Sequence, residues 1–172
     1  MRIALLSNPS SGRGRHAAAD DVARRILTEA GHEVLHVRGS SYEQARDAGR
    51  ALLGDEPHRN VEALVVVGGD GMVHLGVDIV ATTGVPLGIV ATGTGNDIAR
   101  HFGLPSRDAE ASARLINQAL SGKCAITAVD AIYASRPDGT LLAPQHRWSL
   151  AVVSAGVDAA VNARANTLSW PA

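Results

Sequence analysis

Two kinds of apolar spacing alternate along the first hundred or so residues. Short β-rich runs occupy Ile3–Ser7, Glu33–Val37, Val61–Val67 and Pro86–Ala91. Between them lie longer stretches whose apolar residues recur every three or four positions, the spacing of one helical face. Arg15–Ala30 puts Ala18, Val22, Ile26 and Ala30 on such a face and ends at Gly31, a residue suited to a left-handed C-cap. Ser41–Leu53 behaves similarly, as does Ala109–Leu120, which stops before Gly122. Leu104-Pro105 breaks a short helix over Ile98–Phe102. The run Ala63-Leu64-Val65-Val66-Val67 is apolar without interruption, as a strand buried on both faces requires. Strands alternating with helices predict an α/β fold, an open and mostly parallel sheet with helices on both faces, over residues 1–122.

The pattern changes near Lys123. Ile126–Ala134 and Trp148–Ser154, separated by a turn at Pro137-Asp138-Gly139, predict an antiparallel hairpin, and Val157–Leu168 predicts a helix. Residues 123–172 therefore read as the beginning of a second, β-rich domain that this chain leaves truncated. Two strands and a helix are too few for an independent β domain, and their unpaired edges are compatible with a homodimer.

Composition narrows the class without naming a partner. The 172 residues are 45% hydrophobic and 19% charged, which is globular, and 16 basic against 17 acidic side chains give a net charge of −1. That balance offers no footprint for nucleic acid. The single cysteine, Cys124, excludes an internal disulfide and reads as a small buried residue. The apolar run at the start is broken by Asn8-Pro9, well short of a signal peptide or of the ~20 residues of a membrane span. A cytoplasmic protein without a transmembrane segment is expected.

Chemistry gathers in three glycine-rich turns, each following a strand-like run. Gly68-Gly69-Asp70-Gly71 follows the buried strand directly, so the backbone can turn sharply and approach a bulky anion while the next helix points its positive end at it. The same tetrapeptide also reads as a tight turn with Asp70 as helix N-cap. Gly93-Thr94-Gly95-Asn96-Asp97 adds a hydroxyl suited to phosphate and two side chains that orient water or metal, or it is a polar turn capping the next helix. Asn8-Pro9-Ser10-Ser11-Gly12 brings Arg13 and Arg15, cations suited to phosphate, or is a solvated loop. No G-K-[ST] follows a glycine loop and no G-x-G-x-x-G opens a helix, so neither a Walker A nor a Rossmann fingerprint is present.

In their order and context these turns resemble the diacylglycerol kinase catalytic-domain family of lipid kinases, which includes sphingosine kinases and is related to NAD kinases. The resemblance is carried by Asn8–Gly12, by Val66–Gly71, by Pro86–Arg100 followed by Gly103-Leu104-Pro105, and by Val129-Asp130 with Ser154–Ala159. It implies transfer of the ATP γ-phosphoryl group to a lipid hydroxyl with Mg2+ as charge partner, at a membrane surface touched peripherally. It implies nucleotide contacts from Asn8, Ser11, Gly12, Arg15 and Ser40. It implies further contacts from Gly68, Gly69, Asp70, Gly71, Met72, Val73 and His74, and from Gly93, Thr94, Gly95, Asn96 and Asp97. Asp70 is the expected organiser of phosphate and metal. Two positions depart from the family: Met72 stands where it usually has Thr, and Leu75 where it has an acid. His74 takes a place where Asn is common, and an exposed or cap-region histidine is the plain expectation there. The family's catalytic base lies beyond the end of this chain. A non-catalytic nucleotide-binding module and an NAD kinase-like enzyme are the alternatives.

Overall fold

A computed structural model describes residues 1–7, 15–37, 39, 41–54, 60–135, 148–150 and 164. The elements follow the apolar pattern. They are β1 (Arg2–Ser7), α1 (Arg15–Glu29), β2 (Glu33–Val37), α2 (Tyr42–Leu53), β3 (Ala63–Gly68), α3 (Asp70–Val80), β4 (Leu87–Ala91), α4 (Asp97–His101) and α5 (Ala109–Leu120). The four strands form one parallel sheet in the order β2-β1-β3-β4. This is the predicted α/β class.

Alternation along the central strands divides the interior into two cores. Ala4, Leu6, Leu64 and Val66 face one side, where Leu53 of α2, Val73 and Val77 of α3 and Ile98 of α4 cover them. Ile3, Leu5, Val65 and Val67 face the other, against Ala23 and Leu27 of α1 and Ala113 and Ile116 of α5. Every residue of β3 is buried, which is why its sequence shows no polar alternation. Burying side chains such as Leu5, Leu64 and Val66 stabilises by about 1.5–3 kcal/mol each.

Local capping sets the helix starts. Ser41 Oγ accepts the Gln44 N–H at 3.2 Å ahead of α2, and Asp108 Oδ1 accepts the Ala111 N–H at 2.8 Å ahead of α5. Between α2 and α3 lies one buried carboxylate, Asp78. The Arg50 guanidinium donates to its backbone oxygen at 2.8 Å and stands 3.7 Å from its Oδ2.

Beyond α5 part of the predicted hairpin is described: β5 (Ile132–Tyr133) pairs antiparallel with β6 (Trp148–Ser149). Ile126 and Val129 are exposed and outside any strand, because no second strand lies beside them among the described residues. The turn at Pro137–Gly139, the end of the second strand, Ser154–Ala159 and nearly all of the helix expected over Val157–Leu168 lie outside the described residues. β6 docks on the first layer, with Trp148 and Leu150 packed against the core beneath α3.

Candidate functional site

All four strands of the parallel sheet end at one edge, and the strand order reverses between β1 and β3. In open α/β sheets that edge is where ligands bind, because loops diverge at the reversal and leave a crevice. β3 runs into Gly69–Gly71 there and β4 into Thr92–Asn96. The Thr92 N–H donates to Gly68 O at 2.9 Å and draws the two turns side by side. At Gly69 and Gly93 they touch backbone to backbone. A Cβ on Gly93 would lie 2.6 Å from Gly69 Cα and 2.9 Å from Asn96 Oδ1, so only glycine permits the approach.

Asp70 fastens the turns together. The N-cap of α3 is Gly69, and no side chain caps that helix. The Asp70 carboxylate crosses to the neighbouring turn instead, where Oδ2 accepts the Asp97 N–H at 3.2 Å and Oδ1 accepts the Ile98 N–H at 3.1 Å. It thus caps α4 rather than its own helix. A first-turn side chain leans toward the helix N-terminus, which here places it over the adjoining turn. The first donors of α4 are spent on this bond. The backbone N–H groups of Gly93, Thr94 and Gly95 meet no acceptor among the described residues, and Thr94 is exposed, so this turn offers consecutive donors to an anion.

Two neighbours that no motif marks hold the second turn from behind. Asn96 adopts a left-handed backbone, φ 53° and ψ 42°, and is 1% exposed. Its Nδ2 donates to Gly93 O and to Ser106 Oγ, each at 2.9 Å. The side chain of Asn96, one of the expected ligand contacts, is turned inward and supports the turn. Arg107 Nη2 donates to Thr94 O at 2.7 Å, while the Arg107 N–H reaches back to Ala91 O at 2.8 Å. Ser106 and Arg107 follow a proline in a stretch that reads as an ordinary polar linker. The one available signal is spacing, since so short a link between α4 and α5 must pass the end of β4.

The run after Gly71 divides between core and cleft. Val73, named among the expected nucleotide contacts, and Leu75 are both 2% exposed and pack their side chains into the core. Met72 folds back over Gly68, where a Cβ would meet its Cγ at 2.4 Å. His74 is half-buried rather than exposed, and its Nε2 lies 3.1 Å from Ser149 Oγ of β6. Asp97 is exposed and pairs with Arg100. Arg15 opens α1, whereas Asn8, Ser11, Gly12 and Ser40 lie outside the described residues.

No group of three or more His, Cys, Asp or Glu side chains is placed to hold a metal ion among the described residues. Two carboxylate oxygens flank Gly95: Asp70 Oδ2 and Asp97 Oδ2 each lie 3.3 Å from the position a Cβ there would take.

A separate polar cluster sits at the ends of β1 and β2. His36 Nε2 is 2.9 Å from Ser7 Oγ and 3.1 Å from Asp20 Oδ1. Both partners address the same ring nitrogen, so the three do not form a relay through the imidazole.

The family model for the diacylglycerol kinase catalytic domain matches residues 2–129. Proteins named diacylglycerol kinase from two strains of Mycobacterium tuberculosis, CDC 1551 / Oshkosh and ATCC 25618 / H37Rv, are each 34% identical over 170 residues. That alignment covers 99% of this chain and 50% of either relative, so the chain spans about half their length. A crystal structure of a diacylglycerol kinase from Bacillus anthracis strain Sterne superposes with a TM-score of 0.54 at 25% identity, over 68% of this chain and 39% of that one.

Proposed function

Because the chain belongs to the diacylglycerol kinase catalytic domain family, we propose that it binds Mg·ATP where the turns after β3 and β4 meet and serves transfer of the γ-phosphoryl group to a lipid hydroxyl. Diacylglycerol, the acceptor in the relatives' names, is the first candidate. In this reading residues 1–122 form the nucleotide domain and residues 123–172 begin a second one.

The observation that carries the reading is the backbone contact of Gly69 with Gly93, locked by the Asp70 carboxylate. Phosphoryl transfer asks a protein mainly for positioning and for charge stabilisation. The missing Cβ atoms let phosphate oxygens approach the backbone, and the N–H groups of Gly93, Thr94 and Gly95 meet them. The α3 N-terminus adds its positive end from the other turn. Asp70 and Asp97 would hold magnesium, which when bound neutralises the phosphate charge. The base that takes the acceptor's proton comes, in this reading, from the part of the relatives' length that this chain does not span.

A second reading, a nucleotide-binding module without transfer activity, is favoured by Leu75, a core residue at a position where the family's pattern has an acid. Calorimetric titration with Mg·ATP followed by a radiolabelled transfer assay separates the two. Binding with label passing to diacylglycerol in mixed micelles, and not to NAD, supports the kinase. Binding without transfer supports the module. If Mg·ATP produces no binding heat or displacement signal, both fall.

A further inference from the structure

We propose that Arg107 is a positioning residue that decides whether the second glycine turn presents a donor or an acceptor to phosphate. It does so by clamping the peptide between Thr94 and Gly95. The proposal rests on the nucleotide reading above for what the turn binds, but not for the clamp itself.

Other groups hold backbone on either side of this peptide. Asn96 ties Gly93 O, and Asp70 ties the N–H groups of Asp97 and Ile98. Among the described residues, the one hydrogen bond to the plane between Thr94 and Gly95 is from the Arg107 guanidinium to Thr94 O at 2.7 Å. In a trans peptide the carbonyl oxygen and the following N–H point in opposite directions, so holding Thr94 O on the Arg107 side fixes the Gly95 N–H on the other. Gly95 carries no Cβ to resist rotation of that plane. Without the guanidinium the peptide is free to flip and present its carbonyl oxygen where a phosphate oxygen must sit. Two like partial charges then meet.

Arg107 is built to hold still. Its N–H is bonded to Ala91 O, Ser106 bridges to Ala91 beside it, and Ser106 Oγ receives the Asn96 amide. Its φ of 60° lies in the left-handed region that arginine seldom adopts. Among the described residues its guanidinium forms no ion pair, whereas Arg100 is paired with Asp97 and Arg114 with Glu110. The charge is directed at a carbonyl oxygen.

Arg107→Gly removes the clamp and also relieves the positive φ, so the variant should fold with an unchanged or higher melting temperature. The expected result is a loss of Mg·ATP affinity of about tenfold, the scale of one hydrogen bond from a charged group, with affinity for adenosine unchanged. Arg107→Lys should recover part of the loss. In the nucleotide-free protein the Gly95 amide resonance should shift or double in the glycine variant. A Gly95 resonance that stays put overturns the clamp whatever the ligand is. Equal losses for ATP and adenosine overturn it as well, since a general structural role would weaken both. Wild-type chain that fails to bind Mg·ATP, with the Gly95 resonance still responding, would instead strike down the nucleotide reading and with it the assigned purpose of the clamp.

Discussion

Asp70→Ala tests whether this carboxylate is a structural clasp as well as a ligand organiser. It accepts two backbone N–H groups, at 3.2 Å from Asp97 and 3.1 Å from Ile98, and so does for α4 what an N-cap side chain does. Replacing an N-cap acceptor with alanine costs about 0.5–2 kcal/mol. Both bonds are longer than the common 2.9–3.0 Å and Asp70 is only half-buried, so about 1–2 kcal/mol is expected. For a chain of this length that corresponds to a fall in melting temperature of about 2–8 °C. Asp70→Asn keeps one acceptor oxygen and should lose about half as much. Thermal unfolding followed by circular dichroism reads the stability, and Mg·ATP titration reads the second role, expected to weaken at least about tenfold in both variants. A purely ligand-directed carboxylate predicts the opposite stability result, because removing it relieves crowding with Asp97 beside Gly95. An Asp70→Ala protein that melts at or above the wild-type temperature refutes the clasp, and unchanged nucleotide affinity refutes the site.

Gly93→Ala should be destabilised by about 1–2 kcal/mol. Alanine's usual gain of about 0.4–1 kcal/mol from the unfolded chain is outweighed by an overpacking cost of about 1–3 kcal/mol, since the new Cβ falls 2.6 Å from the backbone of Gly69; denaturant unfolding at wild-type stability would contradict this. The Tyr42 phenol is pushed up to about 12, first by burial and then by the nearby Asp78 carboxylate. Its folded pKa exceeds its unfolded one, so the contribution to stability is intact below about pH 10 and is lost as pH rises toward 12. The phenolate absorbance difference between wild type and Tyr42→Phe should therefore titrate near 12, and a midpoint near 10 would be inconsistent with that burial. A double-mutant cycle of His74→Ala with Ser149→Ala should give a coupling of about 0.5–1.5 kcal/mol through their 3.1 Å contact, and a value of zero would detach β6 from α3.

What the chain spells out locally and what it leaves to the fold differ in a physical way. The strands and helices of the parallel layer are written in apolar spacing because each buries a defined face. The starts of α2 and α5 are written in Ser41 and Asp108 because capping acts over three residues. The order β2-β1-β3-β4 is not local information, and neither is the bond from Asp70 to residues 27 and 28 positions later. A strongly patterned motif also misleads about individual side chains. The run after Gly71 reads as a continuous ligand-facing segment, yet its helical period sends Val73 and Leu75 into the core and leaves His74 to meet Ser149. Ser106 and Arg107 escaped notice for the converse reason: their partners are backbone atoms and an amide at a strand end, and such contacts impose no residue pattern on the sequence.

The division of labour around the second glycine turn follows from what each group can hold. A glycine-rich turn that approaches phosphate must lack side chains on its ligand face, so it cannot fix its own peptide planes. The restraints have to come from outside. Here they arrive from three places: Asp70 from the preceding turn, Asn96 from within, and Arg107 from the link between α4 and α5. Each acts on a different backbone group, so removing one leaves the others in place and should change ligand geometry more than global stability. A carboxylate able to serve both as clasp and as metal ligand also links the two tasks. In the proposed reading, Mg2+ held by Asp70 would compete with the N–H groups of Asp97 and Ile98 for the same oxygens.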